Sequence, residues 1–161
     1  MKKVIVIGCP GSGKSTFAKA LAQKTGLPLV HLDRLYWNAD KTTVSKEEFA
    51  RRLALAVEGE AWILDGNYAN TLEMRLQACD TVFLLWYPLE VCLQGVRARK
   101  GKPRSDMPWI EEEEDEEFME YIRSFEANYM PQMQELLQKY AHKDIYVFKT
   151  REDADAFLHS L

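Results

Sequence analysis

The chain has 161 residues, about one domain's worth: enough for a substantial single core and short for two. Apolar residues make up 47% and charged residues 29%, which excludes globally disordered, collagen-like and coiled-coil classes. The 21 basic and 25 acidic residues leave a net charge of −4, a balance that speaks against a protein built to coat DNA. That balance conceals a local split. Arg97, Arg99, Lys100, Lys102 and Arg104 put five positive charges into eight residues, and Glu111–Glu117 then puts seven negative charges into seven. Cys9, Cys79 and Cys92 cannot all pair with one another and show no metal-type spacing, so three reduced thiols are expected. No stretch approaches the ~20 apolar residues of a membrane span, and the N-terminal apolar run is too short for a signal peptide. The expectation is a soluble, cytoplasmic single domain over 1–161.

In chain order, Val4–Ile7 is a β-branched run suited to a strand buried on both faces. Glycines follow, then an amphipathic helix from Lys14 to Lys24, stopped by Gly26. Leu29–Leu32 reads as a short strand ending at Asp33. Residues 45–58 read as a helix with Ser45 as N-cap and Glu48 at the capping-box position. Ala61–Leu64 is a strand ending at Asp65-Gly66, and residues 70–78 look helical. Thr81–Tyr87 is an apolar strand stopped by Pro88, followed by a helix over Leu89–Lys100. Residues 110–140 carry a long helical stripe that Pro131 should kink or split. Ile145–Phe148 is a last strand and 152–160 a last helix. Strands alternate with helices, and the strands lack apolar/polar alternation. That pattern means a parallel sheet with helices on both faces, in which ligands bind at the carboxyl ends of the strands.

Residues 8–16, GCPGSGKST, fit the phosphate-binding pattern G-x-x-x-x-G-K-[ST] in its proper context, after a strand and opening a helix. Gly8, Gly11 and Gly13 let the backbone turn so that successive N–H groups face phosphate oxygens, and Pro10 and Ser12 are the nucleotide-binding positions between them. The helix beginning near Lys14 aims its positive end at the same place. Lys14 should bridge the β- and γ-phosphates, Ser15 should ligate Mg²⁺, and Thr16 should contact the α-phosphate. Asp65 is delivered by an apolar strand to the same edge and is the second candidate for Mg²⁺. Asp33 arrives similarly and is the candidate for the acceptor hydroxyl. Arg34 and Arg75 are candidate anion contacts, Gly66 allows close backbone approach, and Asn67 and Tyr68 face an acceptor. His31 reads as a packed or hydrogen-bonded histidine.

The Arg97, Arg99 and Arg104 segment, with Gly101 and Pro103 inside it, suits a short lid over about 97–110 that stabilises charge in phosphoryl transfer. A nucleic-acid patch helped by Trp109 is the weaker reading, because five bases beside seven acids make a poor DNA surface. The acidic run suits a helix N-terminus.

The P-loop CPGSGKST with Asp65-Gly66 resembles the adenylate kinase-like kinases. HLDRLYW (His31–Trp37), LDGNY (Leu64–Tyr68), Arg75 before Ala78-Cys79-Asp80, and Arg97–Asp106 look like the DNA topology modulation protein family, over essentially the whole chain. The resemblance implies a P-loop NTPase fold with a five-stranded parallel sheet in order 2-3-1-4-5. It also implies ATP or GTP binding and kinase-like machinery, with Lys149, Thr150 and Arg151 bordering the base. The Asp33-Arg34 pair resembles that of shikimate kinase-like enzymes. The chain departs from adenylate kinases in having Asn67-Tyr68 for Phe-Pro and a short lid, and the guanine motif N-K-x-D is missing. The expectation is a Mg²⁺·ATP kinase acting on a nucleotide or small hydroxylated acceptor, and a monomer, since no interface stripe is evident. The alternative is a nucleotide-dependent DNA topology regulator without a small-molecule acceptor.

Overall fold

The structure, a computed structural model, describes residues 1–103, 105–110 and 115–161. Five strands, β1 (Lys3–Gly8), β2 (Leu29–His31), β3 (Trp62–Asp65), β4 (Thr81–Leu85) and β5 (Asp144–Phe148), form one sheet in the order β2-β3-β1-β4-β5. Every pairing is parallel. The expected order and class therefore hold. The register sets Asp65 beside Val6 and His31 beside Asp65, which brings three strand ends to one edge.

Alternation along β1 divides the core. Val4 and Val6 pack with Phe17 and Leu21 of α1 (Lys14–Thr25), Cys92 and Val96 of α5 (Leu89–Arg99), and Ala154 of α8 (Arg151–Ser160). Ile5 and Ile7 face the other way. They pack with Leu53 of α3 (Lys46–Val57), Leu72 and Leu76 of α4 (Ala69–Ala78), and Met133 and Leu137 of α7 (Met130–Lys139). Burying both strand faces is what makes the β-branched run uniformly apolar.

Three elements differ from expectation. β2 ends at His31, and Leu32–Tyr36 forms a one-turn helix, α2, because no residue of β3 beyond Asp65 is left to pair with. Leu32 is instead buried against the far face of the sheet. The long stripe begins as helix only at α6 (Glu116–Asn128), where Asp115 accepts from the Glu117 and Phe118 amides. The acidic helix start is thus present at Asp115–Glu117, while Glu111–Glu114 lie outside the described residues. Pro131 stands in the first turn of α7, where its missing N–H is harmless, and so splits the stripe rather than kinking it. β5 forms as the expected last strand, but at the sheet edge and without helices over both faces: Tyr146 and Val147 are exposed and only Phe148 is buried. No helix among the described residues is long and apolar enough to cross a membrane.

Candidate active site

The P-loop runs from β1 into α1 with Gly11 and Gly13 at φ +84° and +92°, a region open to glycine at little cost. Ser12 donates its backbone N–H to the Cys9 carbonyl at 3.1 Å, closing the loop. Lys14 reaches back to the Cys9 carbonyl at 3.5 Å. A Cβ at Gly95 would stand 2.0 Å from the Gly11 carbonyl oxygen, so α5 rests directly on the loop backbone. Arg151 reaches over Gly13, where a Cβ would meet its Nη1 at 2.9 Å. All three cysteines are free. The Cys9 thiol is pushed well up by its hydrogen bond to Cys92 and by burial.

The end of β3 is tied to the loop by side chains. Asn67 accepts from the Gly8 amide at 3.0 Å and donates to the Gly8 carbonyl at 2.6 Å. Asp65, 4% exposed, accepts through Oδ2 from the Ser15 hydroxyl at 2.7 Å, and His31 Nδ1 lies 2.7 Å from the same oxygen. His31 is therefore a hydrogen-bonded strand residue, as its position in an apolar strand implied. Asp65 Oδ1 is buried with no hydrogen-bond partner among the described residues, and so is Ser12 Oγ.

Asp33 lies in α2 and accepts from the Tyr68 hydroxyl at 2.5 Å. Burial raises its pKa; the Tyr68 hydrogen bond and Lys14 act the other way, and Asp65 and Asp106 reinforce the rise. Tyr68 holds φ at +40°, a conformation an aromatic residue rarely adopts, and backbone outliers of that kind cluster at functional sites. Its phenol is pushed far up by burial and then by the Asp33 charge.

These groups line one cleft of about 1180 Å³. Lys14, Ser15, Thr16, Asp65, Gly66, Asn67, Arg97, Arg99 and Arg151 border it, as do Asp33 and Tyr68. An adjoining depression of about 410 Å³ lies between Tyr87, Gln94, Lys149 and Thr150 and shares Gly95, Ala98 and Arg151 with it. Two expected anion contacts are employed elsewhere. Arg75 is fully buried and donates to the Gly66 carbonyl at 3.0 Å, to the Asn67 and Tyr68 carbonyls, and to Thr71 Oγ1 at 3.1 Å. It shapes the loop from beneath instead of facing the cleft, and burial pulls its pKa down to about 10. Arg34 donates to the Ser105 and Met107 carbonyls at 2.5 and 3.2 Å, holding the 105–107 strap. Arg104 lies outside the described residues.

Sequence reasoning missed two participants. Asp106, 6% exposed, stands with Oδ2 2.9 Å from Ser15 Oγ. Gly95 lets α5 meet the P-loop. A glycine inside an otherwise good helix was the only available signal for the latter. Among the described residues, no group of three or more His, Cys, Asp or Glu is arranged to hold a metal ion by itself.

The fold is a three-layer α/β fold with a five-stranded parallel sheet, and residues 8–16 carry the P-loop pattern at the end of its central strand. Residues 4–63 match the family described as "ATPase family associated with various cellular activities (AAA)", a stretch that holds the P-loop and less than half of the chain. No curated protein matches the chain. Among solved structures, a shikimate kinase from Bacteroides thetaiotaomicron is similar at a TM-score of 0.65 and 18% identity, over 98% of this chain and 94% of that one. A shikimate kinase from Acinetobacter baumannii, in complex with shikimate, is similar at 0.65 and 20% identity, over 99% and 92%. A sugar kinase from Janibacter sp. is similar at 0.53 and 18% identity, over 99% and 91%.

Proposed function

We propose that the protein binds Mg²⁺·ATP and transfers the γ-phosphoryl group to a hydroxyl of a small acceptor. The observation that carries this reading is the meeting of a P-loop with two carboxylates of different setting in one cleft: Asp65 beside Ser15, and Asp33 beside Tyr68. The loop amides and the N-terminus of α1 bind the phosphate chain. Lys14 neutralises the β- and γ-phosphates, and Arg97, Arg99 and Arg104 add positive charge from a lid over about 97–110. The depression beside Lys149, Thr150 and Arg151 takes the base. Ser15 and Asp65 suit Mg²⁺: the donors are all oxygen, and one buried carboxylate oxygen lacks a hydrogen-bond partner among the described residues. When bound, the ion supplies charge to the phosphate oxygens.

Asp33 orients the acceptor hydroxyl and takes its proton as the oxygen attacks the γ-phosphorus and the bond to the β-phosphate oxygen breaks. Its raised pKa makes it a better base than an exposed aspartate. Asn67 and Tyr68 border the acceptor, and Gly66 lets the backbone pass close to Leu32. The similarity of the solved shikimate and sugar kinases supports a small hydroxylated acceptor. The narrower kinship with DNA topology modulation proteins rests on His31–Trp37 and Leu64–Tyr68, with the whole chain acting as one domain.

The test is a phosphoryl-transfer screen with ATP and Mg²⁺ across nucleosides, nucleoside monophosphates, sugars and hydroxy acids. At least one acceptor should be phosphorylated, and Lys14→Ala should lower that turnover by about 100-fold or more without unfolding the protein. Hydrolysis of ATP with no acceptor phosphorylated would overturn the kinase reading. Normal turnover by the alanine variant would overturn the role of the P-loop.

A further inference from the structure

His31 and Asp65 are register partners at the ends of the neighbouring parallel strands β2 and β3, so their side chains stand side by side on one face of the sheet. His31 Nδ1 lies 2.7 Å from Asp65 Oδ2, and the two side chains are 11% and 4% exposed. A carboxylate that serves a cation is ionised and only accepts, so the proton of this contact sits on Nδ1. Ser15 Oγ reaches the same oxygen at 2.7 Å. Both hydrogen bonds thus fall on Oδ2, while Oδ1 is buried with no hydrogen-bond partner among the described residues. This one-sided arrangement fixes one carboxylate oxygen and leaves the other for a ligand.

Of the two donors, only His31 stands outside the proposed ligand set. Ser15 Oγ is itself a candidate for the cation, so its hydrogen bond has to adapt when the ion arrives. The imidazole is carried by a strand paired to β3 from Leu29 to His31 and keeps its place with or without the ion. Two residues further on is Asp33, in the first turn of α2. One short segment therefore holds both acids, Asp65 through a hydrogen bond and Asp33 through the chain itself.

We infer that His31 is a positioning residue for the divalent cation: by holding Asp65 Oδ2 it presents Oδ1 to the metal or to a water bound on it. The inference rests on the proposed Mg²⁺·ATP reading. His31 touches neither metal nor nucleotide and acts through Asp65 alone. Partners of this kind behind a metal ligand fix its orientation, and their loss typically weakens metal affinity by about 10–100-fold. A His31 that only fills space would owe its place to the shape of the ring and nothing to the Nδ1 proton.

The experiment uses Mn²⁺ as the probe and a non-hydrolysable ATP analogue at saturation, with bound Mn²⁺ followed by its electron paramagnetic resonance signal. His31→Asn keeps a donor, because its amide nitrogen stands as far along the side chain as Nδ1, but loses the ring. His31→Phe keeps a ring and loses the donor. Mn²⁺ affinity should stay within about threefold of wild type in His31→Asn and fall by about tenfold or more in His31→Phe. A space-filling His31 gives the reverse order, with the Asn variant melting lower than the Phe variant and Mn²⁺ affinity unmoved in both. Unchanged affinity in His31→Phe, or an equal loss in the two variants, overturns the assignment. In an Asp65→Ala background His31→Phe should cost no further Mn²⁺ affinity, and an undiminished loss there also overturns it. Should His31→Phe not fold, His31→Ala takes its place as the donor-free variant. A wild-type nucleotide complex that takes up no Mn²⁺ overturns the Mg²⁺·ATP reading and this inference with it, whereas the other failures leave that reading standing.

Discussion

The surroundings of Asp33 disfavour its charged form. Burial raises its pKa in the folded protein above the unfolded value, so the native state binds the proton more tightly. Stability therefore falls as pH rises from the unfolded value, about 3.9, through the raised native one, and the loss is complete above both. Asp33→Asn removes that loss. The variant should melt higher than wild type at neutral pH, with the advantage shrinking as pH falls through the raised native pKa and gone once pH is below the unfolded value of about 4. Its phosphoryl transfer should drop by about 100-fold or more if Asp33 takes the acceptor proton. Melting curves at several pH values and turnover with the acceptor check both halves. Unchanged turnover would remove Asp33 from the chemistry. The opposite signs are the expected signature of a group kept for function at the expense of stability. Arg75 is the contrasting residue: a charge buried among loop carbonyls, whose role is to hold the Gly66–Tyr68 turn in shape.

At the scale of elements, the contact between α5 and the P-loop is the most demanding. Gly95 sits inside α5, where alanine would normally be favoured by about 1 kcal/mol. Here a Cβ would lie 2.0 Å from the Gly11 carbonyl oxygen, and the obstacle is backbone. Gly95→Ala should therefore destabilise the protein by about 1–3 kcal/mol despite its better helix propensity. It should also weaken ATP binding, because α5 would push the loop that carries the phosphate-binding amides. Denaturant melts and nucleotide titration decide this; a stabilised variant with normal affinity would show that α5 does not rest on the loop.

For the whole molecule, the two apolar clusters lie on opposite faces of one sheet and share its strands. A chain built this way should unfold in one cooperative transition. Calorimetric and van't Hoff enthalpies should agree. Two resolved transitions would divide the chain into independent units. Charge is also arranged at this scale. The net −4 belongs to the surface as a whole, while Lys14, Lys19, Arg97, Arg99, Lys100 and Arg151 gather around a single cleft. That distribution suits a small polyanion better than a duplex, which needs a broad basic face.

Much of this was legible from the chain itself. The P-loop is local: glycine spacing, the lysine and the following serine specify a strand–turn–helix whose chemistry depends on neighbouring residues only. The alternation of strands and helices in a parallel sheet follows from runs that are apolar throughout or apolar on one face, while the strand order comes from the resemblance to a known family. Asp65 and Asp33 were visible because each ends an apolar segment. What only the tertiary structure decided are relations between residues far apart in the chain. Arg34 and Arg75 look alike as sequence, yet one holds the strap and the other lies beneath a loop, because burial and partners are set by packing. Asp106 reaches Ser15 across 91 residues of chain, and Gly95 meets Gly11 across 84, with no periodicity to announce either. Local pattern determines which elements form and which loop cradles phosphate. The close approach of separate elements determines which charges share the site, since electrostatics and sterics act through space and not along the chain.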